Sequence, residues 1–174
     1  MGLLRSTAEE PAVALREFVD SYVAAWNGCD TEAIAKLVTS DIVWADPALP
    51  APLEGVPAVQ EFMRTSFEAF PDLHFDEPDP PVVACSGDDV LWAWRMEGTN
   101  RGAIDPPGFA PTGRRMRIEG IDRWTMHEGR IRRYRAFYDM NELARQLGIA
   151  PAAGSGAERG VVALQRVAAR FARR

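Results

Sequence analysis

Residues 120–139, GIDRWTMHEGRIRRYRAFYD, form two strand-like runs that a Glu-Gly turn joins into a hairpin. Side chains alternate between the two faces of a strand, so Asp122 shares a face with Trp124 and Met126. These two large apolar neighbours predict that the shared face is buried. A buried carboxylate must be hydrogen-bonded, paired or protonated, because leaving it unpaired costs on the order of several kcal/mol. Asp122 is therefore the first candidate functional residue.

The composition is that of an ordinary globular chain. With 174 residues, of which 47% are hydrophobic and 26% charged, the chain is long enough for one well-buried core. The net charge of -5 argues against nucleic acid or an anionic membrane as the main partner. The sequence contains neither a signal peptide nor a run of about eighteen apolar residues. We therefore expect a cytoplasmic protein.

The residue types that bind metals are few and scattered. Cys29 and Cys85 lie in unrelated segments without a CxxC motif, and neither His74 nor His127 has a partner at ligand spacing. The sequence predicts two free thiols and no metal site.

Hydrophobic periodicity predicts most of the secondary structure. Helices are predicted at residues 11–27, 31–38, 56–70 and 141–147, and Asp30 is the predicted N-cap of the second. Strands are predicted at residues 41–46, 73–75, 82–85 and 90–100, in addition to the hairpin. This order predicts an α+β fold in which helices pack on one face of a curved, mostly antiparallel sheet. Such an arrangement can enclose a pocket for a small molecule.

Two segments fall outside these elements. Residues 101–113 contain three prolines and three glycines and are too long for a hairpin turn, and long loops of this kind are usually functional or disordered. A change of composition after Pro151 divides the chain into a domain at residues 1–150 and a flexible linker with a basic amphipathic helix at residues 151–174. We expect this tail to pack on the domain or on a partner subunit, with an anionic surface as the alternative.

Three polar residues, Tyr22, Asp46 and Asp122, occupy faces that the pattern predicts to be apolar. Two of them also have a purely structural explanation: Tyr22 could be a core tyrosine with a satisfied hydroxyl, and Asp46 could form a turn before Pro47. Together they would supply an acid-base carboxylate, a phenol donor and a second carboxyl group. If desolvation keeps that second carboxyl neutral, it can donate a hydrogen bond to a developing enolate.

Several motifs resemble those of ketosteroid isomerases. They are the segment SYVAAWNGCDTEAIAKLVTSDIVWADP at residues 21–47, GIDRW at residues 120–124 and RAFY at residues 135–138. The resemblance implies that Asp46 is the general base and that Tyr22 and Asp122 form the oxyanion hole, with no cofactor.

A second set of motifs resembles the SnoaL-like polyketide cyclases and the wider NTF2-like superfamily. EGTNRG, FAPTG, the EGRI turn and ELARQLG carry this similarity, which extends roughly from Ala12 to Pro151. It implies an NTF2-like cone around a pocket, an apolar small-molecule substrate and a homodimer formed through the open sheet face. Two departures stand out: Ala136 replaces an acidic residue of the cyclases, and Asn100 stands where their motif has histidine. Asp139 is three residues further on, and we predict that it caps the last helix.

The leading hypothesis is a proton-transfer enzyme that acts alpha to a carbonyl, with Asp46 as base and Tyr22 and Asp122 as stabilisers of the enolate. Aromatic residues predicted to contact the substrate are Trp26, Trp44, Phe109, Trp124 and Tyr138, with Phe109 as a possible lid. The alternatives are an intramolecular aldol cyclase, a non-catalytic ligand-binding module, and an epoxide hydrolase or dehydratase that uses Arg95 and Glu97. Those last two residues share one strand face and could equally form an exposed ion pair.

Overall fold

The computed structural model describes residues 9–79 and 81–171, and within them the chain forms five helices and seven strands. The helices are α1 (Glu9–Asn27), α2 (Thr31–Leu37), α3 (Val56–Ala69), α4 (Met140–Leu147) and α5 (Gly156–Phe171). The strands are β1 (Val38–Ala45), β2 (Leu53–Glu54), β3 (His74–Asp76), β4 (Val83–Ser86), β5 (Asp89–Thr99), β6 (Arg115–His127) and β7 (Arg130–Tyr138).

The strands form one curved, unclosed sheet in the order β2-β1-β7-β6-β5-β3, and β4 pairs with β5 beside β3. All pairs are antiparallel except β1 and β7, which run parallel. The α+β prediction of a mostly antiparallel, curved sheet with helices is confirmed.

The hairpin of β6 and β7 turns at Glu128 and Gly129, which both have positive φ angles, as a type I′ turn requires. β6 is longer than predicted and begins at Arg115, five residues before Gly120. Its first residues pair with the second half of β5, and the alternation of RMRIE at residues 115–119 continues the inner face with Met116 and Ile118.

The inner face of the sheet carries the core. Trp92, Trp94 and Trp124 are buried on β5 and β6, and Tyr22 and Trp26 of α1 pack against this layer. Alternation along β6 is regular, with Asp122 on the buried face as predicted. The two cysteines are free and exposed, as predicted.

α5 lies apart from this core. None of its side chains is buried, and Leu164 and Phe171 are each 71% exposed. The apolar stripe of α5 is therefore not buried against the domain within the described residues, and the expectation that the tail packs on the domain or on a partner subunit stays a prediction. No helix among the described residues is long and apolar enough to cross a membrane.

Candidate active site

A cavity of about 220 Å³ lies between the inner face of the sheet, α3, α4 and the loop at residues 101–113. Its walls are almost entirely aromatic and aliphatic side chains. Asp46 and Asp105 are the carboxylates in the lining, and no Lys, Arg or His side chain of the described residues contributes to it. The charge of the site is therefore set by carboxyl groups in apolar surroundings.

Asp46 follows the last residue of β1 and contributes to the cavity wall. The Tyr138 hydroxyl donates a hydrogen bond to its Oδ1 (2.7 Å), and the Ala48 amide donates to the same oxygen (2.8 Å). The second bond is the turn interaction expected of an aspartate before proline, so the structure bears out the structural explanation of Asp46. Burial raises the pKa of Asp46, although both hydrogen bonds act in the opposite direction.

Asp122 is 1% exposed and lies behind the cavity wall. The Trp94 indole Nε1 donates to its Oδ1 at 2.7 Å, and the Tyr134 hydroxyl donates to the same oxygen at 2.9 Å. Burial raises the pKa of Asp122 to about 8, and these hydrogen bonds only partly counteract the shift. At pH 7 this carboxyl group is therefore mainly neutral.

Tyr22 is buried in the aromatic core and packs against Trp92 and Trp124 at ring-centroid distances of 5.5 and 4.9 Å. It does not line the cavity. Burial raises the pKa of Tyr22, and the nearby charge of Asp122 acts in the same direction. Tyr22 and Asp122 are thus neighbours behind the cavity wall, whereas Asp46 is part of that wall.

Four of the five predicted aromatic contacts line the cavity: Trp26, Trp44, Phe109 and Tyr138. Trp124 does not line it and is fully buried between Phe18, Tyr22 and Trp92. Phe109 is 42% exposed and pairs with Ile104 across the loop, so it forms part of the outer wall of the cavity.

Two residues that the sequence pattern did not predict connect Asp122 to the cavity. Trp94 and Tyr134 both line the cavity and both donate to Asp122. Strand alternation contained a signal for Tyr134, because residues 134, 136 and 138 of β7 share the inner face. Alternation alone could not predict that Trp94 and Tyr134 donate to the same carboxylate oxygen.

Gly120 allows Trp94 to reach Asp122. A Cβ atom at residue 120 would overlap the six-membered ring of Trp94, which lies flat against β6 at that point. The absence of a side chain thus lets the indole cross to the neighbouring strand and place its Nε1 beside the carboxylate.

Arg95 and Glu97 lie outside this site. Their side chains project from the outer face of β5, where Arg95 pairs with Glu119 (3.3 Å) and Glu97 pairs with Arg115 (2.7 Å). Neither residue lines the cavity. They form exposed cross-strand ion pairs with β6 rather than a reactive pair.

The two departures from the cyclase pattern have structural explanations. Ala136 is buried directly opposite Asp122 in the β6–β7 pairing and offers no acidic group. Asp139 accepts hydrogen bonds from the amides of Asn141 and Glu142, which is the predicted N-cap of α4. Asn100 is fully buried and holds the loop at residues 101–113 through its side-chain amide.

No group of three or more His, Cys, Asp or Glu side chains in the described residues is arranged to hold a metal ion. The chemistry available is that of hydrogen bonds and carboxyl groups in an apolar cavity. Asp46 can exchange a proton with a bound molecule, and the pair formed by Asp122 and Tyr134 can polarise one of its oxygen atoms.

Comparison with known proteins gives both a family match and a fold match. The family model for SnoaL-like polyketide cyclases matches residues 16–147. No curated protein matches the chain.

Three solved structures illustrate the similarity of fold. TsrD from Streptomyces laurentii has 21% sequence identity and a TM-score of 0.68, and the match covers 79% of this chain and 97% of TsrD. A putative SnoaL-like polyketide cyclase from Jannaschia sp. CCS1 has 20% identity and a TM-score of 0.69, with 80% and 94% of the two chains covered. AclR, a putative hydroxylase from Streptomyces galilaeus, has 21% identity and a TM-score of 0.67, with 94% and 98% covered.

Proposed function

The chain belongs to the SnoaL-like polyketide cyclase family, and from this premise we propose that it is a cofactor-independent enzyme that removes a proton alpha to a carbonyl group. The substrate is an apolar polycyclic or polyketide-like small molecule. The observation that carries this proposal is Asp46, a carboxyl group of raised pKa in the wall of an otherwise apolar cavity.

Asp46 is the base of this reaction. Both of its hydrogen bonds end on Oδ1, so Oδ2 has no partner among the described residues and is the oxygen that takes the proton. A raised pKa makes the carboxylate a stronger base at neutral pH, as general base catalysis requires. Tyr138 donates to Oδ1 and holds the orientation of the carboxylate.

Removal of the proton leaves an enolate whose negative charge lies on the former carbonyl oxygen. Neutral hydrogen-bond donors in a dry site stabilise such an oxygen. We propose that neutral Asp122, with Tyr22 behind it, orients the hydrogen-bond donors of the cavity wall so that they point at this enolate oxygen. The raised pKa values of both groups support this role, because both stay protonated at pH 7.

The same enolate leads to two products. Return of the proton at another carbon gives isomerisation, and attack on a second carbonyl of the same molecule gives aldol cyclisation. Membership in the SnoaL-like family favours cyclisation. Ala136 favours the isomerase-like form, because the last strand provides no second acid at this position.

The protein is also proposed to be a homodimer that forms through the outer face of the sheet. Leu91, Ile121 and Phe137 are large apolar residues of adjacent strands and are 44 to 47% exposed on this face. Neighbouring apolar side chains at a surface are typical of protein interfaces.

The catalytic proposal predicts that Asp46→Asn abolishes proton abstraction. The exchange of the α-hydrogens of 2-tetralone in D₂O, followed by NMR, measures this step on a small bicyclic ketone. We expect the protein to accelerate exchange and Asp46→Asn to lower the catalysed rate by about 100-fold or more, because an amide cannot accept the proton. The matched control is Asp41→Asn, which removes an exposed carboxylate of β1 that does not line the cavity and should leave the rate within about twofold.

Two results would count against the proposal. An Asp46→Asn variant that exchanges hydrogen as fast as the unmodified protein would exclude Asp46 as the base. Binding of the ketone without accelerated exchange would favour a non-catalytic ligand-binding module.

A further inference from the structure

We propose that Tyr134 is the hydrogen-bond donor that contacts the ligand, and that Asp122 and Trp94 are positioning residues that set the direction of its hydroxyl group. This inference rests on the proposed function and adds a residue to the same site. Tyr134 lines the cavity, whereas Asp122 and Tyr22 do not. Asp122 can act on a ligand only through a neighbour that reaches the cavity.

The two hydrogen bonds of Asp122 end on the same oxygen, Oδ1. An indole N–H can only donate, so Oδ1 always accepts the bond from Trp94. A tyrosine hydroxyl can donate or accept, so its bond with Asp122 can run in either direction. The protonation state of Asp122 therefore decides which way the hydroxyl of Tyr134 points.

When Asp122 is ionised, Tyr134 donates to it and presents only oxygen lone pairs to the cavity. When Asp122 carries a proton on Oδ1, that proton is donated to the oxygen of Tyr134, and the hydroxyl hydrogen of Tyr134 becomes free for a ligand. Oδ1 is the better site for the proton, because Oδ2 has no hydrogen-bond partner among the described residues and a buried O–H without an acceptor is costly. The neutral form of Asp122 thus converts Tyr134 into a donor.

The surroundings hold the ring of Tyr134 in place for this role. It stacks on Trp44 with a ring-centroid distance of 3.5 Å and an interplanar angle of 10°. Burial raises the pKa of Tyr134, and the charge of Asp122 acts in the same direction, so the phenol keeps its proton.

The titratable groups that face Tyr134 and Asp122 are Tyr22 on α1 and Asp46 after β1, and the charge of Asp122 in turn acts weakly on Tyr138 of β7. Tyr22 and Tyr138 also have raised pKa values and remain neutral. A negative charge on Asp46 further favours the neutral form of Asp122. A substrate bound next to ionised Asp46 would therefore meet Tyr134 as a donor.

Binding of 2-naphthol, an aromatic mimic of the enol of 2-tetralone, tests this inference. Absorbance titrations would compare the unmodified protein with Tyr134→Phe, Asp122→Asn and the double variant at pH 7. We expect Tyr134→Phe to weaken binding by about 3- to 10-fold, the effect of losing one hydrogen bond between neutral groups. The phenylalanine ring keeps the stacking on Trp44, and circular dichroism would verify the fold of every variant.

Asp122→Asn gives the sharper comparison. An asparagine must place its carbonyl oxygen opposite the Trp94 N–H, so Tyr134 donates to residue 122 at every pH. This variant should lose about as much affinity as Tyr134→Phe, and the double variant should lose no more than either single variant, because both changes remove the same interaction.

The pH profile gives a readout that a purely structural role would not change. Affinity of the unmodified protein should fall relative to that of Asp122→Asn as the pH rises past about 8, where Asp122 ionises. Three results would overturn the inference. Tyr134→Phe could leave the affinity unchanged, or the unmodified protein could fail to bind naphthol. The third is a double variant whose loss of affinity is the product of the two single losses. A different outcome would overturn the proposed function alone: Asp46→Asn exchanges the ketone hydrogens as fast as the unmodified protein, while the Tyr134 results are as expected. Tyr134 would then remain a ligand-binding donor.

Discussion

Asp122 keeps its proton at pH values at which an exposed aspartate has lost it, because burial raises its pKa to about 8. The unfolded chain has the ordinary pKa of 3.8 at this residue. Between these two values the folded protein binds more protons than the unfolded chain, so rising pH favours unfolding. The stabilising contribution is complete below about pH 4 and is lost as the pH rises to about 8.

We therefore predict that the pH dependence of stability differs between the unmodified protein and Asp122→Asn. The amide has no proton to lose, so the free energy of unfolding of the unmodified protein should fall relative to that of the variant between about pH 4 and pH 8. The expected slope is about 1 kcal/mol per pH unit for a single proton. Urea unfolding at several pH values would measure it.

Asp89→Asn is the matched control with the opposite sign. The hydrogen bond from Arg123 lowers the pKa of exposed Asp89, so this carboxylate stabilises the fold above the ordinary pKa and the contribution is lost as the pH falls. Parallel stability profiles for Asp122→Asn and the unmodified protein would show that Asp122 is ionised in the folded state.

At the scale of elements, the side chain of Asn100 and backbone hydrogen bonds together hold the loop at residues 101–113. The Nδ2 group of Asn100 donates to the carbonyl of Gly102 (2.8 Å), and its Oδ1 accepts from the amide of Thr112 (2.8 Å). Nδ2 also reaches the carbonyl of Ala69 at the end of α3, at 3.4 Å. Asn100 thus fastens both ends of the loop, whose middle residues form part of the cavity wall.

We therefore predict that Asn100→Ala destabilises the fold and loosens the cavity wall. The substitution removes the hydrogen bonds of the buried Asn100 side chain to the part-buried backbone of Gly102 and Thr112, which costs about 1–3 kcal/mol in the free energy of unfolding. Urea unfolding and hydrogen exchange of residues 101–113 would measure the two effects.

The control for this prediction is Asn141→Ala, since that side chain is exposed and has no hydrogen bond among the described residues. An Asn100→Ala variant as stable as the control would show that the loop is held by its prolines and apolar contacts instead.

At the scale of the whole molecule, one side of the sheet is used for the cavity and the other is open. The outer face carries the exposed apolar residues Leu91, Ile121 and Phe137, and α5 carries a separate exposed apolar stripe. These are two distinct candidate surfaces for self-association. We propose the outer face, because its residues belong to the rigid sheet and need no further ordering on binding.

Sedimentation distinguishes the two surfaces. We expect the unmodified chain to be a dimer, Ile121→Glu to shift it to a monomer, and a chain that ends at Pro151 to remain a dimer of unchanged stability, since α5 buries no side chain. A charged residue in the centre of an apolar interface is costly, which is why Ile121→Glu should separate the subunits. Dissociation of the shortened chain, with Ile121→Glu still dimeric, would assign the interface to α5.

Periodicity along the sequence was enough to establish several features of this protein. Alternation along β6 put Asp122 on the buried face, and the helix caps Asp30 and Asp139 lie where they were predicted. Such features depend on contacts between residues two to four positions apart, and the sequence contains this information directly. The α+β class follows from the order of the elements for the same reason.

Only the tertiary structure decided how the site is assembled. Tyr138 reaches Asp46 although the two are 92 residues apart, because β1 and β7 pair in parallel, which no local pattern encodes. Trp94 and Tyr134 meet at Asp122 because three strands are in register there and Gly120 leaves room for the indole. The position of Tyr22 behind the cavity wall likewise depends on how α1 packs on the sheet. A sequence pattern can predict that a residue is buried, but not whether it lines a cavity or lies in the core behind it.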